Sequence, residues 1–238
     1  MKGTAIIAAT AIGALAAAGC GSSSSSGGTS GSGTTTKACV ASIGMEGPLT
    51  GPVAVLGQEQ LHFAQLALAR DNLANHTKIT LVQGDTQLNP AQATTVTQQF
   101  TSNSKIVAVV GPAGSQEVEA IGPLMARAGL AFISGSATAA ALTTGKYPTF
   151  FRTVSKDSVQ GPQDANYIVN TLHPKALMIV DDQEAYSTGL VSAMMPIFQA
   201  AGIKVDHESV SQKVTDSWST LIPAAWKTGV IALTRPVE

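Results

Sequence analysis

The chain has 238 residues, of which 44% are hydrophobic and 12% charged, the balance of a globular protein with enough apolar side chains for one or two buried cores. Its formal net charge is -1 with no run of lysine or arginine, so the electrostatic footprint of a nucleic-acid binder is missing and no DNA or RNA partner is expected. His62, His76, His173 and His207 are scattered, and Cys20 and Cys39 stand outside any CxxC spacing, so neither a metal nor a cofactor is expected.

The chain opens MKGTAIIAATAIGALAAAGC, with Lys2, an uncharged run from Thr4 to Ala18 and small residues before Cys20. This pattern marks residues 1–19 as an export signal. The run is shorter than the roughly 20 residues a membrane-spanning helix needs. Ala17-Ala18-Gly19-Cys20 resembles the lipobox of bacterial lipoproteins, which implies lipid on Cys20 and an anchor on the outer face of a membrane. Residues 20–37 form a tether, because GSSSSSGGTSGSGTTT at 21–36 has no apolar side chain to offset the entropy of ordering. A linker of that length averages roughly 20–25 Å end to end.

The folded part is expected to begin with a strand over Ala38 to Ile43, in which Cys39 reads as a small buried apolar residue. Gly44 to Gln58, rich in glycine and proline, reads as a long turn. A helix follows from about Gln58 to Asn75, with Leu61, Ala64 and Leu68 on one face. Lys78 to Gln83 reads as a strand ending in GDTQLNP, where Asp85 suits a turn-stabilising role better than a ligand contact. Pro90 suits the first turn of a helix running to about Ser102.

Val107 to Val110 is a short apolar, β-branched run, the signature of a strand buried on both faces of a parallel sheet. Gly111 and Pro112 stop it. Val118, Ile121, Leu124, Met125 and Ala128 then recur at helical steps between Gln116 and Ala128. Gly129 closes that helix and Leu130 to Ile133 supplies the next strand. The alternation of strand and helix demands a parallel sheet covered on both faces. Ligands of such sheets settle beyond the carboxyl ends of the strands. Ser115 stands at the start of the helix after Gly111-Pro112, and Ser134, Ser136 and Thr138 crowd the next turn. Side by side, two hydroxyl-bearing turns make an anion-sized polar site. Taken singly, Ser115 also reads as a helix N-cap and the others as turn formers.

Phe150 to Thr153 reads as a crossing into a second lobe. Val159 to Leu172 is helical and Lys175 to Val180 a strand. Leu190, Met194, Ile197, Phe198 and Ala201 mark another buried helix face closed by Gly202. Asp181 and Asp182 suit hinge and capping roles better than paired catalytic acids. The sequence carries no GxSxG elbow, P-loop or GxGxxG, so an enzyme is not expected.

GPLTGP at 47–52 with Gly57, GDTQLNP at 84–90, VVGPAGS at 109–115, ISGSAT at 133–138, FFRTVSKDSVQG at 150–161 and VDDQEAYSTGL at 180–190 together resemble the bacterial leucine/isoleucine/valine-binding protein family. Members are substrate-binding components of ABC importers. The resemblance implies an α/β, type I Venus-flytrap fold of two Rossmann-like lobes, here 38–153 and a partial second lobe over 154–238, because the likeness weakens from Val214 and relatives continue past Glu238. It implies a monomer whose partners are a small-molecule ligand, an ABC permease and, through Cys20, a membrane. It also implies that Ser115 and Thr138 hold a ligand carboxylate and that the Ser136 carbonyl meets its ammonium. Tyr186 would add an aromatic contact from the second lobe, and Leu56 would lie where some relatives place an aromatic. Ser187 departs from the glycine that usually follows this tyrosine. A ligand-sensing receptor of the same fold, or a truncated fragment without binding activity, are the alternatives.

Overall fold

The computed structural model describes residues 40–210. The leader, Cys20, the tether, Cys39 and the stretch from Val214 onward lie outside them. Strands β1 (Ser42–Gly47), β2 (Thr80–Asp85), β3 (Ile106–Val110), β4 (Phe132–Ser134) and β5 (Phe150–Arg152) form one parallel sheet in the order β2-β1-β3-β4-β5. Helices α1 (Ala54–Asn75), α2 (Pro90–Ser102) and α3 (Ser115–Ala128) are its crossovers. Since the chain steps left from β1 to β2 and right thereafter, right-handed crossovers put α1 on one face and α2 and α3 on the other.

The α2/α3 face holds the larger core. Val96 and Phe100 of α2 and Val118, Ile121 and Met125 of α3 pack on Val109, Phe132 and Phe150, with the last two rings 5.1 Å apart. Both helices are set by local signals. Asn89 caps α2 by accepting from the amides of Ala91 and Gln92, with Pro90 following as the first helical residue. Gly129 ends α3 in the left-handed region. On the other face α1 contributes Leu61 to a smaller cluster with Met45 and Leu49, and Val55, Phe63, Leu66 and Leu73 remain exposed.

Four expectations are corrected here. β1 runs on through Met45 to Gly47 instead of ending at Ile43, because both of its edges are paired. α1 begins at Ala54, with Gly57 inside the helix and packed on Pro48. Val107 is 58% exposed, so β3 is not buried along its whole length. The register explains it: pairing with β4 starts only at Val109, so no neighbouring strand flanks Val107 on that side. Phe150–Arg152, expected as a crossing segment, is the fifth strand of this sheet, paired with β4.

Beyond β5, α4 (Asp157–Tyr167) runs on into a π-helical turn, Ile168–Leu172. β6 (Ala176–Asp181), α5 (Ala185–Ala200) and β7 (Lys204–Ser209) make a second, two-stranded parallel sheet. Its core is Ala165 of α4, Leu177 and Ile179 of β6, and Leu190, Val191, Met194 and Phe198 of α5. Ile197 is only half-buried and Ala201 exposed, so the buried stripe turns toward Val191. Tyr186 belongs to the first turn of α5 rather than to the loop before it.

Candidate functional site

The carboxyl ends of β3 and β4 place two polar turns side by side, and their hydroxyls stitch them together. Ser134 Oγ donates to the Pro112 carbonyl at 2.6 Å and accepts from the amides of Ser136 and Ala137. Ser136 Oγ donates to the Ala113 carbonyl at 2.7 Å and accepts from Gln60 Nε2 at 3.1 Å. Ser115 Oγ accepts from the Ala139 amide at 3.1 Å, which leaves its own proton to donate. Ser115 is the first residue of α3, with Gly114 as the N-cap, so it does not serve as the cap itself. Gly111, at φ 106°, lets the chain pass so close to β1 that a Cβ would stand 1.9 Å from the Glu46 carbonyl oxygen. No other residue type has room for that approach.

Arg152, at the end of β5, holds the second turn from below. Its guanidinium donates to the carbonyls of Ala137 at 3.2 Å and Ala139 at 3.0 Å and to Thr143 Oγ1. The Asp157 amide donates to the Thr138 carbonyl at 3.0 Å. Every backbone group from 137 to 139 that these contacts touch is thereby fixed, which holds the turn in one conformation. Thr138 Oγ1 is buried without a hydrogen-bond partner and faces the Asp157 carboxyl. Burial raises the Asp157 pKa, with Thr138 and the Arg152 charge opposing.

Ser115, Ser136 and Thr138 are therefore brought together. Leu56 is half-buried one helical turn before Gln60 on α1, so it shares the face that reaches Ser136. Tyr186 is half-buried at the start of α5. Burial raises its pKa, partly offset by a hydrogen bond from Gln160, and the charges of Asp157, Asp164 and Asp182 add to the rise. A hollow of about 710 Å³ lined by Phe151, Arg152, Lys156 and Val159 contains none of these residues. It is open to solvent, whereas the polar turns converge hydroxyls and a helix N-terminus on one spot.

Beneath the first turn lie two fully buried acids. Glu117 Oε2 accepts from the Gly114 amide at 2.7 Å, and Glu46 Oε2 accepts from Thr97 Oγ1 at 3.1 Å. Burial pushes the Glu46 carboxyl up to about 8, with a hydrogen bond from Thr97 opposing and the Glu117 charge adding. Burial raises Glu117 as well. Glu46 is mostly neutral near pH 7, so it adds little negative charge beneath the start of α3. Asp85 anchors the β1–α1 loop, accepting from the amides of Leu49, Thr50 and Gln87. Burial alone would raise it, but these bonds and the Thr50 hydroxyl hold it below the usual carboxylate range. This is the turn-stabilising role its position suggests. Among the described residues no group of three or more His, Cys, Asp or Glu is placed to hold a metal ion.

Gln60, Arg152, Asp157, Glu46 and Glu117 are not singled out by sequence reasoning. Arg152 and Asp157 do lie within FFRTVSKDSVQG, where a charged residue ending a strand and an acid opening the next helix are a readable signal. Asp182 Oδ1 accepts from the Glu184 amide and from Ser187 Oγ, a local turn role in keeping with capping.

A parallel sheet with hydroxyl-bearing turns at its carboxyl ends, followed by a second parallel sheet, is the type I periplasmic-binding-protein fold. Residues 41–232 match the family described as periplasmic binding protein, and the chain belongs to that family. It is 30% identical over 166 residues to the leucine-, isoleucine-, valine-, threonine- and alanine-binding protein of Pseudomonas aeruginosa, covering 68% of this chain and 44% of that one. It is 31% identical to the Leu/Ile/Val-binding protein of Citrobacter freundii, covering 68% and 45%. The chain thus spans less than half the length of these curated relatives. Among solved structures, the branched-chain amino acid transporter substrate binding protein LivJ of Streptococcus pneumoniae, in complex with isoleucine, is 29% identical with a TM-score of 0.68, covering 78% of this chain and 53% of that one. The leucine binding protein LivK of Thermotoga maritima, 21% identical with a TM-score of 0.74 over 81% and 55%, shares the fold. Among the described residues no helix is long and apolar enough to cross a membrane.

Proposed function

We propose that this chain is the extracytoplasmic, lipid-anchored substrate-binding component of an ABC importer, or the part of one that carries the primary contacts for an amino acid of the branched-chain type. The observation that carries this reading is the stitched pair of turns. Ser115, Ser136 and Thr138 come from two strand ends yet share one hydrogen-bonded framework, in a chain whose curated relatives are named for binding leucine, isoleucine and valine.

The chemistry follows from the groups present. The N-terminus of α3 and the Ser115 and Thr138 hydroxyls suit a carboxylate, and the Ser136 carbonyl suits an ammonium. Leu56 suits an aliphatic side chain. Residues 38–153 form the lobe that binds first and residues 154–238 contribute to a second, whose Tyr186 closes over the ligand by a hinge movement. Cys20 carries the lipid, the tether at 20–37 gives reach, and an ABC permease receives the ligand from a monomeric receptor. The protein binds its ligand and does not turn it over.

The test is calorimetric titration of the full chain with L-isoleucine. Thr138→Ala is expected to weaken binding about tenfold or more, the loss of one charge-assisted hydrogen bond. Equal affinity of variant and wild type removes Thr138 from the site.

A further inference from the structure

Asp157 opens α4 and is 1% exposed, yet neither carboxylate oxygen makes a hydrogen bond of good geometry, and the Thr138 hydroxyl is the side-chain donor that acts on it. An acid in the first turn of a helix ordinarily accepts from the free amides there. This one points elsewhere. Toward the first sheet, its amide binds the Thr138 carbonyl at 3.0 Å, and its carboxyl faces the buried Thr138 hydroxyl, which favours the charged form together with Arg152. Arg152 in turn holds the carbonyls of Ala137 and Ala139. Toward the second sheet, the carboxylate lies against α5, where a Cβ built on Gly189 would stand 2.9 Å from Asp157 Oδ2. Glycine is disfavoured inside a helix relative to alanine, so Gly189 needs a reason. The carboxylate supplies one. Its charge also reaches Tyr186 on the same helix.

We propose that Asp157 is a positioning residue that joins the two halves of the ligand site, packing against the Thr138 side chain on one side and setting how closely α5, with Tyr186, approaches on the other. The role rests on the reading of Thr138 and Tyr186 as ligand contacts. Both Asp157 oxygens are closed off from solvent, which favours action through Thr138 and α5 over direct contact with a ligand's ammonium group.

Two measurements on the full chain test this separately from ligand identity. The first is a thermal-melting cycle of Gly189→Ala and Asp157→Ala. In the wild-type background Gly189→Ala lowers the melting temperature, because the new methyl group meets the carboxylate. In the Asp157→Ala background the same change raises it by about 2–4 °C, the ordinary gain of alanine over glycine in a helix. Equal shifts in the two backgrounds overturn the proposal. If Asp157→Ala does not fold, Asp157→Ser carries the same cycle with the carboxylate withdrawn from Gly189. The second measurement is L-isoleucine affinity by calorimetry. Asp157→Ala binds about tenfold or more weakly. Asp157→Asn, which keeps the shape against Thr138 and Gly189 but not the charge, stays within about threefold of wild type. An asparagine variant as weak as the alanine variant overturns the positioning role and makes Asp157 a counter-charge for the ligand. A wild type that binds no isoleucine refutes isoleucine as ligand, and the melting cycle then decides the place of Asp157 by itself.

Discussion

Glu46 gives this protein an unusual pH dependence of stability. It is 0% exposed on the central strand β1, where Oε2 accepts from Thr97 Oγ1 while Oε1 has no hydrogen bond. Burial raises its pKa from 4.5 to about 8. Between those values the native state keeps a proton that the unfolded chain has lost. Its contribution to stability is fully present below about 4.5 and is lost as pH rises through about 8. At about 1.4 kcal/mol per pH unit, that interval is worth on the order of 5 kcal/mol, a large share of an ordinary domain's stability. Glu117, also raised by burial, pushes in the same direction. Asp85 and Asp181 have lowered pKa values. Their contribution is present above 3.8 and lost on acidification, so it cancels in a comparison made from pH 5.5 upward. The perturbation is Glu46→Gln, which keeps the volume and is neutral at every pH. Urea denaturation followed by circular dichroism at pH 5.5, 7 and 8.5 reads the effect. Wild type loses stability steadily across this range and the variant much less, so the difference moves in the variant's favour by several kcal/mol. Wild-type and variant curves that stay parallel from pH 5.5 to 8.5 would refute the buried-proton reasoning.

Arg152→Lys keeps the charge but cannot reproduce the fork that holds Ala137, Ala139 and Thr143; a loss of about 1–3 kcal/mol in chemical denaturation is expected and, on the proposed function, weaker L-isoleucine binding because the Thr138 turn loosens. Asp181 ties the end of β6 to β7 by accepting from His207 Nε2 at 2.6 Å and Ser209 Oγ at 2.8 Å, and it also accepts from the Gln183 amide at 2.8 Å. Asp181→Asn should cost about 1.5–3 kcal/mol locally, seen as faster amide exchange over 204–209. Burial opposes the lowered pKa of Asp181, and the bonds from Ser209, Gln183 and His207 outweigh it. Wild type should therefore lose the same protection on acidification below pH 3.8, while the asparagine variant shows no such step.

The elements legible in the sequence are those whose signals are local. α2 is announced by Asn89-Pro90 and α3 by its helical period and Gly129, and both form where those residues place them. The hydroxyls of Ser115, Ser134, Ser136 and Thr138 were equally readable, because turns at the strand ends of a parallel sheet follow from the order of elements alone. What the tertiary structure decided depends on neighbours distant in the chain. β1 extends to Gly47 because β2 and β3 arrive on both sides of it, and Val107 is exposed because β4 starts too late to flank it. Phe150–Arg152 is a strand because β4 offers it an edge. The raised pKa of Glu46, the grip of Arg152 on the Thr138 turn and the meeting of Asp157 with Gly189 have no local signature. Desolvation and long-range hydrogen bonds exist only once separate segments are packed, so residue type and spacing name the candidates, while packing assigns their charge, rigidity and partners.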